Sequence, residues 1–187
     1  MIIGITGRIA SGKTEIAEFL KLRGFSYITL SQIVREEVKK RNIEVTRKSL
    51  QDIGNEIRKN EGAGGWVRRL LSMINPEEDW IIDGIRNPGE IVELRKLKNF
   101  VLISVDSPQE RRYQRVLSRN KESDPKSWEG FLEADKRDFG EADPLGQQVG
   151  KCIELSDFHV DNDSTLENFY EKIYEIFERI NSGKIIS

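Results

Sequence analysis

Residues Gly7 to Thr14 read GRIASGKT, a GxxxxGKT spacing caught between an apolar run, IIGIT, and an amphipathic one, TEIAEFL. Gly7 and Gly12 permit backbone torsions that a side chain would block, so consecutive N–H groups can turn inward around an anion. Before the loop, Ile2, Ile3 and Ile5 read as a buried strand; after it, Ile16, Ala17, Phe19 and Leu20 recur at helical spacing. A strand that runs through this motif into a helix is the context of a loop that cradles nucleotide phosphates. The helix N-terminus adds positive potential. Lys13 supplies a mobile cation for the β- and γ-phosphates, and the Thr14 hydroxyl is placed to ligate Mg²⁺. The cradle expected for ATP therefore comprises Gly7, Ala10, Ser11, Gly12, Lys13 and Thr14, with Ile16 in the first helical turn.

A chain of 187 residues fits one domain with a sizeable core, so residues 1–187 are expected to form a single unit. Lys and Arg number 30 against 32 Asp and Glu, leaving no global basic field that would argue for nucleic acid or membrane as a partner. Any positive site is local. Cys152 is the only cysteine, which excludes an intrachain disulfide and a thiolate zinc site; its neighbours fit a small core or surface thiol. No apolar run approaches the ~20 residues of a membrane span, and the chain opens on a strand pattern rather than a signal peptide. These features predict a cytoplasmic protein, a monomer or homodimer, whose partner is a small-molecule nucleotide.

Phe25 to Leu30 (FSYITL) reads as a second strand, so strand, helix and strand within about 30 residues imply a parallel pair with a right-handed crossover. Residues 31–75 read as helical and highly charged, with Ile33, Val34 and Val38, then Leu50, Ile53 and Ile57, marking apolar sides. Gly62, Gly64 and Gly65 interrupt this segment as a hinge would. Trp80 to Asp83 (WIID) is a third strand ending in an acid, the place where phosphotransferases of this loop type hold Mg²⁺; the competing reading makes Asp83 a turn residue before NPGE. Residues 88–97 form a helix, and Phe100 to Val105 a fourth strand, apolar on both faces as a central parallel strand requires.

Ser107-Pro108 opens a helix that sets Arg111, Arg115 and Arg119 at four-residue spacing. Such a stripe is either solvated or, with few carboxylates beside it, aimed at phosphate. Residues 120–148 carry many charges and few apolar anchors, the composition of a lid. Asn120 to Ser123 (NKES) lacks the final Asp of a guanine-reading NKxD and follows a helix, so it is rejected. Asp157 to Asp161 (DFHVD) is the fifth strand, with His159 a packed or rim residue, and residues 164–180 a closing amphipathic helix. The fold class is thus α/β: five parallel strands wrapped by helices, with ATP·Mg²⁺ at their C-terminal edge.

Phosphoryl transfer is accelerated by positioning and charge neutralisation, so an acceptor that is itself a phosphate needs further cations, and arginine's fork suits them. The chain resembles the nucleoside monophosphate kinases over nearly its whole length. LSQIVREEVKKRN looks like that family's acceptor segment, implying Arg35 as an acceptor-phosphate ligand within 31–75. IIDGIR looks like its DG-x-P-R element shortened by one residue, implying Asp83 at Mg²⁺ and Arg86 on the acceptor phosphate. QERRYQRVLSR is similar to the helix entering its lid, implying Arg115 against adenine and Arg119 on the phosphates, with Arg137 a further candidate. TRKSLQDIGNEIR and WVRRLL look like deoxynucleoside monophosphate kinases. A second resemblance is to dephospho-coenzyme A kinases, which keep an acid just after the second strand where this chain has Leu30, Ser31 and Gln32. That absence favours a phosphate over a hydroxyl acceptor. A nucleotide-gated binding protein that hydrolyses ATP slowly is the reading from a different class, since the same loop serves both.

Overall fold

The computed structural model describes residues 1–119, 124–140 and 144–183. In chain order the elements are β1 (Ile2–Gly7), α1 (Lys13–Lys21), β2 (Ser26–Thr29), α2 (Leu30–Lys40), α3 (Arg47–Glu61), α4 (Gly65–Leu71), β3 (Trp80–Asp83), α5 (Pro88–Leu94), β4 (Phe100–Asp106), α6 (Gln109–Arg119), α7 (Trp128–Phe139), α8 (Val149–Glu154), β5 (Phe158–Asp161) and α9 (Leu166–Asn181). The strands form one parallel sheet in the order β2-β3-β1-β4-β5. This is the α/β architecture expected from the sequence.

Strand periodicity divides the core in two. Ile3 and Ile5 of β1, Ile103 and Val105 of β4 and Val160 of β5 point to one face, where Phe19, Leu20, Phe169 and Ile173 of α1 and α9 cover them. Ile2, Ile82 and Leu102 point to the other, against Trp66, Val67, Leu70, Ile91 and Cys152 from α4, α5 and α8. Gly4 lies among these: a Cβ there would come within 2.7 Å of Ile85 Cδ1. Helix starts follow from local chemistry. Thr29, Thr46, Asn87, Ser127 and Thr165 each accept a hydrogen bond from an N–H of the helix they precede, and Pro88 opens α5, where a missing N–H costs nothing.

The second strand ends sooner than expected because Leu30 already belongs to α2, and the helical segment 31–75 is split into α2, α3 and α4. Two of the three glycines there have a packing explanation: a Cβ on Gly64, before α4, would lie 2.2 Å from Glu93 Cγ, and one on Gly65, its first residue, 2.8 Å from Glu61 Cβ. Helix α8 was not anticipated. It holds Cys152 fully buried, so the thiol is a core group, and burial pushes its pKa up. The described part of 120–148 contains α7, anchored by Trp128 and Phe131 on the ring of Tyr113 in α6; the NKES tetrapeptide lies outside the described residues. None of the described helices is long and apolar enough to cross a membrane.

Candidate functional site

All five strands run the same way, so their C-terminal ends share one edge, and a cavity of about 720 Å³ opens there. The loop after β1 forms one side of it. Gly7 and Gly12 have φ of 146° and 121°, where side chains are strained; a Cβ on Gly7 would also sit 2.2 Å from Val105 O. Ala10, with φ 57°, adopts the left-handed region without being glycine. The loop's carbonyls are held from outside: Arg112 Nη1 donates to Ile9 O at 3.4 Å, Arg115 Nη1 to Ala10 O and Ser11 O at 3.2 Å each, and Asn162 Nδ2 to Ser11 O at 2.9 Å.

Lys13 Nζ folds over the loop and donates to Gly7 O and Arg8 O, both at 2.7 Å. Burial lowers its pKa to about 8; Asp83 and Asp138 oppose the shift, and Arg86 and Arg119 add to it. These groups therefore act within one field. Ser11 is buried with its Oγ unpaired, and Thr14 stands exposed at the cavity wall. Ile16 corrects an expectation: it is fully buried in the core, because helical phase turns it with Ala17, Phe19 and Leu20 onto the sheet, and its side chain does not reach the cavity.

Asp83, at the end of the strand beside β1, accepts from Tyr27 OH at 2.9 Å through Oδ2. Its other oxygen, Oδ1, is buried without a hydrogen-bond partner. A desolvated carboxylate oxygen with no donor is a fitting ligand for a hard cation, so Thr14 and Asp83 suit Mg²⁺. Burial, followed by this carboxylate, pushes the Tyr27 phenol up and keeps it a donor.

Arg35 of α2 and Arg86 of the β3–α5 turn line the same cavity as Gly12, Lys13 and Thr14. Arg86 is held through its backbone, its N–H donating to Glu90 Oε2 at 2.8 Å and its C=O accepting from Gln148 N at 2.7 Å. The Gln147 amide satisfies both its neighbours when its oxygen accepts from Arg86 Nη1 at 3.2 Å and its nitrogen donates to Asp138 Oδ1 at 2.5 Å. Glu90 is itself fully buried, receiving Arg58 Nε at 3.2 Å and Nη2 at 2.9 Å. The first turn of α2 brings Leu30 and Ser31 to the cavity but no carboxylate, while Gln32 faces Glu36.

The arginine stripe divides. Arg119 lines the cavity but is paired with Asp124 at 2.7 and 2.8 Å, so the expected scarcity of carboxylates was wrong there; Asp124 lies only five residues on, beyond the end of α6. Arg115 braces the loop as above, and burial lowers its pKa. Arg111 donates to Ser164 O, away from the cavity. Arg137 is exposed on α7 and absent from the cavity wall, since the inward phase of that helix belongs to Phe131, Asp135 and Asp138.

Sequence reasoning passed over Tyr27, Arg58, Glu90, Arg112, Gln147 and Asn162. For Glu90 a signal existed, because Asn-Pro-Gly-Glu has the spacing of a capping box. Arg112 shares its Asp135 partner with Arg8 of the loop, which is 3.8 Å away and stacks over Phe139; that juxtaposition spans more than a hundred residues.

A family model described as an AAA domain matches residues 3–138. A UPF0200 protein of Sulfurisphaera tokodaii is 38% identical over 179 residues, covering 96% of this chain and 97% of that protein. Among solved structures, shikimate kinase from Acinetobacter baumannii in complex with shikimate aligns with a TM-score of 0.60 at 14% identity, over 98% of this chain and 94% of that one. Dephospho-CoA kinase from Campylobacter jejuni aligns with a TM-score of 0.55 at 16% identity, over 98% of each chain. The likeness to both structures is one of fold.

Proposed function

The chain belongs to the AAA-domain family and to the UPF0200 proteins, and from that premise we propose that it is a P-loop kinase moving the γ-phosphoryl of ATP to a nucleoside or deoxynucleoside monophosphate. One observation carries this reading: Arg35 and Arg86 share a cavity with Gly12, Lys13, Thr14 and Asp83, so a second cationic locus faces the phosphate cradle. The loop amides and Lys13 would hold the β- and γ-phosphates, and Arg35 and Arg86 the acceptor phosphate. Thr14 and Asp83 would hold Mg²⁺, which would supply neutralisation of the charge on the phosphates. An acceptor oxygen forms the new P–O bond as the bond from the γ-phosphorus to the β–γ bridging oxygen breaks, leaving ADP and a diphosphate. No general base is required, since a phosphate monoester with a second pKa of about 6 arrives as the dianion.

Arg115 would act from beneath the loop and Arg119 from the cavity wall, where Asp124 holds its guanidinium. The lid, whose α7 brings Asp138 to the cavity, and the acceptor segment 31–75 would close on substrate, excluding the water that would hydrolyse ATP. The hydroxyl-acceptor alternative is favoured by one feature, the unpaired Asp83 Oδ1, which could take a hydroxyl proton. ADP release from ATP, measured against a panel of nucleoside and deoxynucleoside monophosphates with dephospho-coenzyme A included, separates the readings. Stimulation by one monophosphate supports the proposal, stimulation by dephospho-coenzyme A alone replaces it with hydroxyl phosphorylation, and a flat low rate across the panel leaves a nucleotide-dependent switch.

A further inference from the structure

We propose that Asn162, at the end of β5, is a positioning residue that sets the donor loop for nucleotide. The inference rests on reading Gly7 to Thr14 as a nucleotide cradle. Asn162 is buried, and its bonds link the end of β5 to that loop on one side and to the end of β4, Ser107 and Arg115 on the other. Its Nδ2 donates to Ser11 O at 2.9 Å, its backbone N–H to Asp106 O at 2.8 Å, and its C=O accepts from Ser107 Oγ at 2.6 Å and Arg115 Nη2 at 3.3 Å. Ser107 Oγ in turn accepts from Arg115 Nη1 at 3.0 Å.

The physical consequence concerns peptide orientation. A loop that binds anions must turn its N–H groups inward, so its carbonyls face the protein and need donors there. Ser11 C=O belongs to the peptide whose N–H is that of Gly12, and because a peptide is planar, fixing that oxygen fixes the direction of that N–H. Among the described residues, Asn162 and Arg115 donate to Ser11 O. The contact also gives Gly12 a second reason to lack a side chain, since a Cβ there would lie 2.4 Å from Asn162 Nδ2.

The test is ADP binding to the full-length protein by calorimetric titration, together with hydrogen exchange of the nucleotide-free protein. Asn162→Ala is expected to weaken ADP roughly 2- to 10-fold, the range one neutral hydrogen bond supplies. It should also speed exchange at residues 9–14 while leaving β4 and α9 at the wild-type rate. Should that variant not fold, Ser107→Ala removes the hydroxyl between Asn162 and Arg115 and is expected to weaken ADP in the same direction by a smaller factor. A folded variant with wild-type ADP affinity, or one whose exchange rises across the whole sheet as fast as in the loop, overturns the assignment. Failure of the wild-type protein to bind ADP would overturn the nucleotide reading itself.

Discussion

The Arg58–Glu90 pair offers a test that needs no ligand. Glu90 is fully buried, and its carboxylate takes four donors: Arg58 Nε and Nη2 on one oxygen, and the N–H groups of Arg86 and Asn87, at 2.8 and 3.1 Å, on the other. Glu90→Ala strands a guanidinium that is only 7% exposed, together with two N–H groups. Breaking a buried pair from one side costs roughly 3–5 kcal/mol. Each orphaned buried N–H would add roughly 1–3 kcal/mol, but Glu90 borders the cavity, so water can enter the vacated space and relieve part of this. A net loss of about 4 kcal/mol is expected. For a chain of this size ~1 kcal/mol lowers Tm by roughly 2–4 °C, so the melting point should fall by about 8–16 °C in thermal unfolding followed by circular dichroism at pH 7. The double variant Arg58→Met, Glu90→Leu removes the stranded charge and should recover at least half of that loss. A drop of under about 3 °C in Glu90→Ala, or a double variant no better than the single, would refute the argument that the cost lies in the unpaired guanidinium.

Lys13, with its pKa lowered to about 8, is protonated below that pH and neutral above it. Since the phosphates attract only the ammonium, ADP affinity should weaken as pH rises through about 8, by up to roughly tenfold per unit for one linked proton; Lys13→Arg should flatten that profile in the same titration, and Lys13→Ala should abolish turnover. Arg86→Ala removes charge-assisted hydrogen bonds worth roughly 1.5–3 kcal/mol each, so acceptor kcat/KM should fall by about 10- to 200-fold in steady-state assays while ATP affinity stays near wild type. Equal loss of both would count against the acceptor role of Arg86. Gly12→Ala places a Cβ 2.4 Å from Asn162 Nδ2 at φ 121°; it should cost about 1–3 kcal/mol in denaturant unfolding and remove measurable ADP binding.

What could be read from the residues was whatever is local or periodic. The phosphate loop, the strands WIID and FVLISV and the amphipathic run from Leu166 declare themselves through glycine spacing and apolar repeats of two or 3.6. The arginines at 35 and 86 were reached by resemblance, and the cavity brings both beside the loop. Other features depend on tertiary placement. Whether Arg119 meets a carboxylate depends on how the chain turns after α6; which side of α7 faces inward decides between Arg137 and Asp138, and no pattern within that helix settles it. Asn162 carries no sequence signal, because its partner Ser11 lies 151 residues away. Helix α8 was missed because six residues containing a glycine are too short to show a period.

The sheet has two separate apolar linings, and no described residue belongs to both. One supports the helix that begins at the phosphate loop; the other supports the helices whose side chains form the far half of the cavity. Substitutions that reshape the far half therefore meet the second lining first, on the face of the sheet opposite the helix that begins at the phosphate loop. If the proposed phosphotransfer holds, a lineage carrying this chain would exchange one acceptor for another by altering one layer and leave the donor side as it is.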